Sequence, residues 1–495
     1  MNIALWKMVA LFALLTMFAH GCSGDNGASN VPDDDNTTEL PEDSINSECP
    51  IVWGGSSGTA PDEPAGQPTG RTWSALSTNG MPTGKALSAM THTDEFNNSV
   101  VIWVNEVDDL PQLYSFHIDL STNEIIDIGQ LSDGLGAVRY GLNTNGAGPV
   151  NLICFAMADN GGAAVSYLQD FDNRVELVVA FYNPSSRSWL EPQVIQSSAT
   201  DILSHTVAIN DNGQAALSWL EDREEGLSIQ ATIFTGLEWS SPITLNEDDI
   251  VNSSWLDPIT SHPTVAVLPS GQALIGWADG SSGSRQLQMR VLDGSDVFEL
   301  SAPSAGLENG SPTFIVSNNN YLGLSWVAYS QDNQFFSSVF MSTFDIEECA
   351  WKSPTKVSQI GLDQHTPSVD INGIGEIAIG FVLETLASVS GEVSAGFTII
   401  NNNSLIQEQE VPYYTGGAVK PKIQISNNEG VYLKVCGYDA FILHNDSRGS
   451  FLDSTTFEPE LVSCLDGDFS VNANGYGVFV GPSQSGQLKY SLLKE

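Results

Sequence analysis

One short module, repeated along the chain, restricts what this sequence can fold into. Its clearest form runs from His205 to Leu245, HTVAINDNGQAALSWLEDREEGLSIQATIFTGLEWSSPITL. Four brief runs of small, β-branched and aromatic residues are separated by Asn-Asp-Asn-Gly, a charged loop and Thr-Gly. That alternation of strand formers and turn residues predicts four antiparallel strands joined by tight hairpins. The pattern begins again at His262 as HPTVAVLPSGQALIGW.

An aromatic residue closes the second strand of each unit and serves as its marker. It falls at Trp103, Tyr167, Trp219, Trp277, Trp326 and Phe381, with two degraded copies around Val435 and Phe479. Six residues before four of these markers stands a glycine, Gly161, Gly213, Gly271 or Gly375. A hairpin reversing there with positive φ accounts for it. Between glycine and marker, small and large side chains alternate, as strands packed between stacked sheets require. Pro263, Pro312 and Pro367 open the first strands, with Pro421 close to the same place, and His205 stands there in its own unit. The fourth strand carries its own mark, a Trp followed shortly by Pro, at Trp189, Trp239 and Trp351.

The two ends are out of phase with this period. RTWSALST around Trp73 reads as a fourth strand with no first strand before it, and the last unit ends without a fourth. A ring resolves the mismatch. The N-terminal strand completes the last unit, and closure removes two open sheet edges. The expectation is an all-β protein, a β-propeller of about eight four-stranded blades (seven if one degraded copy belongs to its neighbour), closed by the strand near Trp73.

These units resemble those of bacterial exported β-propeller lipoproteins, whose repeats read G-x-A-x-x-x-W and W-S-x-P. The resemblance covers most of the chain after Gly70 and specifies a blade rather than a reaction. Sialidase-like propellers fit less well. Their Asp-box places Asp, Gly and Trp close together, whereas Trp219 comes late after Asp211-Asn212-Gly213, and the arginines share no repeat position that would let three converge.

The N-terminus predicts a destination. A short apolar run follows Lys7, too short for a comfortable membrane span. It ends in Ala19-His20-Gly21-Cys22, which resembles a lipoprotein signal. That resemblance implies removal of residues 1–21 and lipidation of Cys22. Ser23, where an Asp would resemble an inner-membrane retention signal, leans toward the outer membrane or cell surface of a Gram-negative envelope. Residues 22–70 are rich in Gly, Ser, Asn, Pro and acid and read as a flexible tether, with the propeller at 71–495. Within the tether Ile51-Val52-Trp53, beside Cys49, is apolar enough to dock on the domain. Export permits disulfides, and among the six cysteines Cys436 and Cys464, on neighbouring predicted strands, form the favoured pair. No short Cys-x-x-Cys spacing indicates zinc.

Charge narrows the partners. Sixty Asp and Glu face 17 Lys and Arg, a net charge of −43, which repels nucleic acid and anionic headgroups. Contact with a membrane is therefore expected through the lipid anchor alone. Acids follow each marker: Glu106 and Asp108, Asp170 and Asp172, Glu221 and Asp222, Asp279, and Glu384. Equivalent loops of a propeller gather on one face, so these carboxylates could ring the channel, bind Ca²⁺ or cleave a glycan. Hairpin loops are also polar simply because they are wet, and no dense calcium loop is present; Asp370-Ile371-Asn372-Gly373 is a fragment of one. His205, His262 and His365 recur near first strands, but their offsets from the markers differ, so no resident metal is expected. Trp255, Tyr413 and Tyr414, in links between blades, could stack on sugar or anchor a protein. Nucleophile and phosphate-loop motifs are absent. The sequence therefore favours an envelope lipoprotein that binds a protein or glycan without catalysis. A glycan-active hydrolase or lyase using central carboxylates is the alternative.

Overall fold

A computed structural model describes residues 49–53, 72–75, 77–78, 84–140, 142–143, 150–223, 226–246, 262–279, 285–305, 308–317, 321–329, 337–357, 363–372, 375–384, 393–401, 404–411, 421–427, 430–436, 440–445, 453–457, 466–483 and 485–494. Regular structure among them is all strand. Eight sheets of at least four strands follow one another along the chain, each an up-and-down antiparallel meander, and we number them blades 1 to 8. Their first strands are Lys85–Thr93, Ile153–Met157, Ile202–Ile209, Thr264–Val267, Glu308–Ser317, Asp363–Ile371, Lys422–Ile425 and Asp468–Val471. Each first strand contacts that of the next blade, and the first strand of blade 8 contacts that of blade 1. These eight contacts make a ring, so the first strands surround the axis of a β-propeller.

The hairpin glycines behave as the repeat requires. Gly161, Gly213, Gly271 and Gly375 have φ of 87°, 74°, 92° and 83°. In blade 1 Asn97, also six residues before its marker, holds the position at φ 64°, a conformation asparagine tolerates better than most residues. The six marker aromatics are all buried to 2 % exposure or less. They belong to apolar clusters that each join two consecutive blades, for example Trp219 with Leu177 and Phe181 of blade 2, and Trp277 with Leu220 and Ile229 of blade 3. The residue before five of the six markers is small because the next blade lies on it. A Cβ on Gly276 would come within 3.1 Å of the Phe314 ring, and one on Gly380 within 3.1 Å of Leu433.

Pro263 and Pro421 immediately precede their first strands, as expected, but two other prolines do not. Pro312 and Pro367 lie inside their strands, Glu308–Ser317 and Asp363–Ile371, where the pairing register shifts between Gly310 and Thr313 and between His365 and Ser368. Lacking an N–H, proline is accommodated at a bulge instead of opening the strand. The Trp-x-x-Pro signal likewise splits the outer strand, into Ser188–Trp189 and Gln193–Ser198 in blade 2 and into Ala350–Trp351 and Thr355–Lys356 in blade 5.

The N-terminal strand closes the ring as its phase predicts. Thr72 pairs with Lys494 and Trp73 with Leu493, and a bridge joins Ser77 to Tyr490. The compact unit spans Cys49–Glu495. Ile51 and Trp53 are buried in the cluster between blades 4 and 5. Gln272 clamps this segment, accepting the Val52 N–H at 2.6 Å and donating to the Pro50 carbonyl at 3.0 Å. Cys49 is disulfide-bonded to Cys349 on blade 5, a pairing across 300 residues that no spacing in the chain indicates. Cys464 and the side chain of Cys436, the favoured pair, lie outside the described residues.

Candidate functional site

A first strand is an edge strand, and its unpaired N–H groups face the neighbouring blade. Side chains on the first strands of blades 6, 7 and 8 satisfy some of them. Ser368 and Asp370 of blade 6 accept the Ile423 and Ile425 N–H groups of blade 7, at 3.1 and 2.8 Å. Gln424 of blade 7 accepts the Val471 N–H of blade 8 at 2.6 Å, and Asp468 of blade 8 accepts the Thr91 N–H of blade 1 at 3.1 Å. A strand's period of two puts such residues on one face, so the same register serves these three seams. The hairpin turns add a second belt. Asn210, Asn372 and Asn472 cap their own turns and donate from Nδ2 to the carbonyls of Leu268, Ser426 and Asp94 in the following blades. Asn372, read from sequence as part of a calcium-loop fragment, belongs to this belt.

Where blades 6, 7, 8 and 1 meet at the axis, this ladder gathers ionisable groups. Lys422 Nζ holds both oxygens of Asp468 at 2.8 Å. Lys434, on the second strand of blade 7, donates to the Gly467 carbonyl. Burial pushes the Asp468 carboxyl up, but Lys422, Lys434 and the Thr91 N–H outweigh it and hold it below the usual carboxylate range. Asp370 goes the other way. Burial drives it from the usual 3.8 to about 7, and the N–H groups of Ile425 and Ile371 and the charge of Lys422 only partly oppose this. His92 of blade 1, packed edge-on against Phe155 of blade 2 at 5.0 Å, is lowered to about 4, first by burial and then by Lys422. Near neutral pH the cluster thus holds an ionised carboxylate, a half-protonated one, an ammonium and a neutral imidazole. Asp370, Lys422 and His92 are half-buried.

The acids expected to ring the channel are elsewhere. Asp170 grips Arg139 through both oxygens at 2.9 Å, and Arg139 also binds Asp201 at 2.7 Å, joining blades 2 and 3. Glu221 is 3 % exposed and accepts from Ser198 at 2.7 Å and Arg223 at 2.9 Å. Both stand in a seam at the far end of the second strand, where an unpaired carboxylate would be costly. Asp222 is exposed and Asp279 half-buried, each at the end of its own second strand. Trp255, Cys22, Tyr413 and Tyr414, and the side chains of Glu384 and His365, lie outside the described residues. His205 is buried between blades, with Nδ1 2.9 Å from Ser166 Oγ and Nε2 3.2 Å from the Leu152 carbonyl. Burial lowers it to about 4. Among the described residues no three His, Cys, Asp or Glu side chains group as a metal site. Lys422, Asp468 and His92 were not singled out from sequence, and Asp370 only as part of a calcium-loop fragment, because their shared signal is a place relative to the turn rather than a residue type.

No family model and no curated protein matches this chain. Solved propellers align with it at low identity. An α-L-arabinofuranosidase from Fusarium graminearum is 10 % identical, with a TM-score of 0.40 over 59 % of this chain and 92 % of that one. A polysaccharide lyase titled an ulvan lyase is 12 % identical, with a TM-score of 0.46 over 73 % and 94 %. The propeller domain of the Trilobed protease of Pyrococcus furiosus is 8 % identical, with a TM-score of 0.44 over 76 % and 98 %. Fold and site together define an all-β propeller with an ionisable cluster on its axis.

Proposed function

We propose that the protein acts on a glycan at the axial cluster, with Asp370 as the proton donor and Asp468 as the fixed anion. One observation carries this reading. Two carboxyl groups on the first strands of blades 6 and 8, flanking the blade 7 strand that carries Lys422 and both under its influence, are held toward opposite protonation states. Such divergence separates an acid from an anion in glycan-cleaving chemistry. Asp370 protonates the departing glycosidic oxygen, and Asp468 faces the positive charge that develops on the sugar. The test is sugar release from a polysaccharide panel that includes arabinan and ulvan. Asp370→Asn should reduce the rate by about 10²–10⁴-fold while leaving near-ultraviolet circular dichroism unchanged. Equal activity in wild type and variant, or no release from any polysaccharide, overturns the reading.

A second reading, a scaffold that binds a protein or glycan without catalysis, draws on Leu190, Val194 and Leu237, which are 52 %, 54 % and 91 % exposed on the outer parts of blades 2 and 3. It is favoured if the protein retains a ligand and turns none over. In either case we propose that Cys22 carries a lipid that anchors the protein at the cell envelope. Cys22→Ser should then abolish incorporation of labelled fatty acid.

A further inference from the structure

We infer that the glycan taken by this channel is uncharged rather than uronate- or sulfate-bearing; this deepens the proposed function and rests on it. Among the described residues, the cations near the axis are already engaged. Lys422 is neutralised by Asp468, which it holds through both oxygens. Lys434 is buried and donates to a carbonyl. Arg139, farther out, is shared between Asp170 and Asp201. A polyanionic chain would need one of these partners displaced, leaving a buried carboxylate without its counter-charge, which costs several kcal/mol. It would also approach a protein carrying 60 acids against 17 bases, whose repulsion salt weakens only beyond about 8 Å at physiological ionic strength.

The positive side of the argument is the lining. Thr93, Ser368 and Gln424 are half-buried, uncharged side chains on the first strands of blades 1, 6 and 7. Thr93 already bonds Ser99 and Ser470, while Ser368 and Gln424 each accept one N–H across a seam, which leaves the serine hydroxyl and the glutamine NH₂ to donate. Beside them stand the imidazole of His92 and the carboxyl of Asp370. Groups of this kind suit the hydroxyl and ring oxygens of a neutral sugar, which both donate and accept. A uronate or sulfate calls instead for charge-assisted donors such as a bidentate arginine, and Lys422, the axial ammonium, is occupied.

The experiment is affinity electrophoresis of the wild-type protein in gels containing neutral arabinan, ulvan or no polysaccharide, read as retardation and repeated with Asp468→Asn. The wild type should be retarded by the neutral polysaccharide and not by the sulfated, uronate-containing one. In Asp468→Asn, Lys422 loses its counter-charge, so ulvan retardation should appear. Asp370→Asn, which leaves the Lys422–Asp468 pair intact, should show no ulvan retardation. Ulvan retardation of the wild type equal to that by arabinan overturns the inference. So does an Asp468→Asn variant that folds, as judged by near-ultraviolet circular dichroism, and still ignores ulvan. Retardation by arabinan without sugar release leaves this inference standing and removes the cleavage reading. No retardation by either polysaccharide removes both.

Discussion

Asp370→Asn should change how stability depends on pH, with a sign fixed by the structure. Burial raises the Asp370 carboxyl from 3.8 to about 7. Below about pH 4 it is protonated in both folded and unfolded chains and contributes nothing. Between 4 and 7 the unfolded chain releases its proton while the folded one keeps it, so stability falls as pH rises. Above 7 both are ionised and the full penalty is present. The gap corresponds to roughly 4 kcal/mol at about 1.36 kcal/mol per tenfold. Asp370 is half-buried and so partly screened by solvent, and we take about half of that, ~2 kcal/mol. Asparagine keeps an oxygen for the Ile425 N–H, which Asp370 binds at 2.8 Å, and cannot ionise. The difference between variant and wild type should therefore grow by ~2 kcal/mol in the variant's favour from pH 4 to pH 8. His92 and His205, both lowered to about 4, work the opposite way. The folded chain binds fewer protons there than the unfolded one, so they add stability as pH rises through 4 to 6.5. That contribution is common to both proteins and cancels in the difference. The assay is urea unfolding of both at pH 4, 6 and 8. Parallel curves, with a constant gap between the midpoints, would refute the assignment of a raised carboxyl to Asp370.

Other perturbations test the frame around the site. Cys349→Ser should lower stability by about 2–5 kcal/mol and abolish the effect of reductant on the thermal midpoint; a reductant-insensitive wild type would mean the Cys49 link is not formed. Gly213→Ala should cost about 1–2 kcal/mol from backbone strain alone, since φ is 74° and nothing lies within 4 Å of the added Cβ. Gly213→Asn should cost less, because Asn97 adopts φ 64° at the same place in blade 1; an equal loss from both substitutions contradicts the turn assignment. Asn472→Ala removes a buried side chain that caps its own turn and donates to Asp94 and Asn97. Each group left unsatisfied should cost about 1–3 kcal/mol, with faster amide exchange at Thr91 across the seam between blades 8 and 1. Unchanged exchange there would show that the turn belt does not hold the ring together.

Much of the architecture was legible in the sequence, because it depends on local rules. A strand alternates with period two, a hairpin needs a residue that accepts positive φ, and an edge must be closed. Gly213, Trp219 and the displaced strand at Trp73 therefore announce a ring before any coordinates exist. The small residue before five of the six markers, Ile102 before Trp103 being the exception, also records the packing, since Gly276 and Gly380 lie against the next blade. Ile51-Val52-Trp53 could be picked out because an apolar run in a polar tether has to be buried somewhere.

Contacts between distant segments could not be read this way. Cys49 and Cys349 meet across 300 residues because the ring brings blade 5 to the docked N-terminal segment. No spacing rule distinguishes that pairing from Cys436 with Cys464. The acids misled for a related reason. Asp170 and Glu221 follow their markers as the repeat demands, but the fold brings Arg139 to Asp170 and Ser198 of blade 2 to Glu221, which also pairs with Arg223 two residues on, so both are engaged in a seam. Asp370, Lys422 and Asp468 are unremarkable in sequence, lying on the first strands of three separate blades. The sequence alone determined the blade, its turns and the closure of the ring, all governed by short-range sterics and burial. Only the tertiary structure decided which charges meet at the axis, because pairing energies depend on distance and burial across blades, and neither quantity exists until the ring is closed.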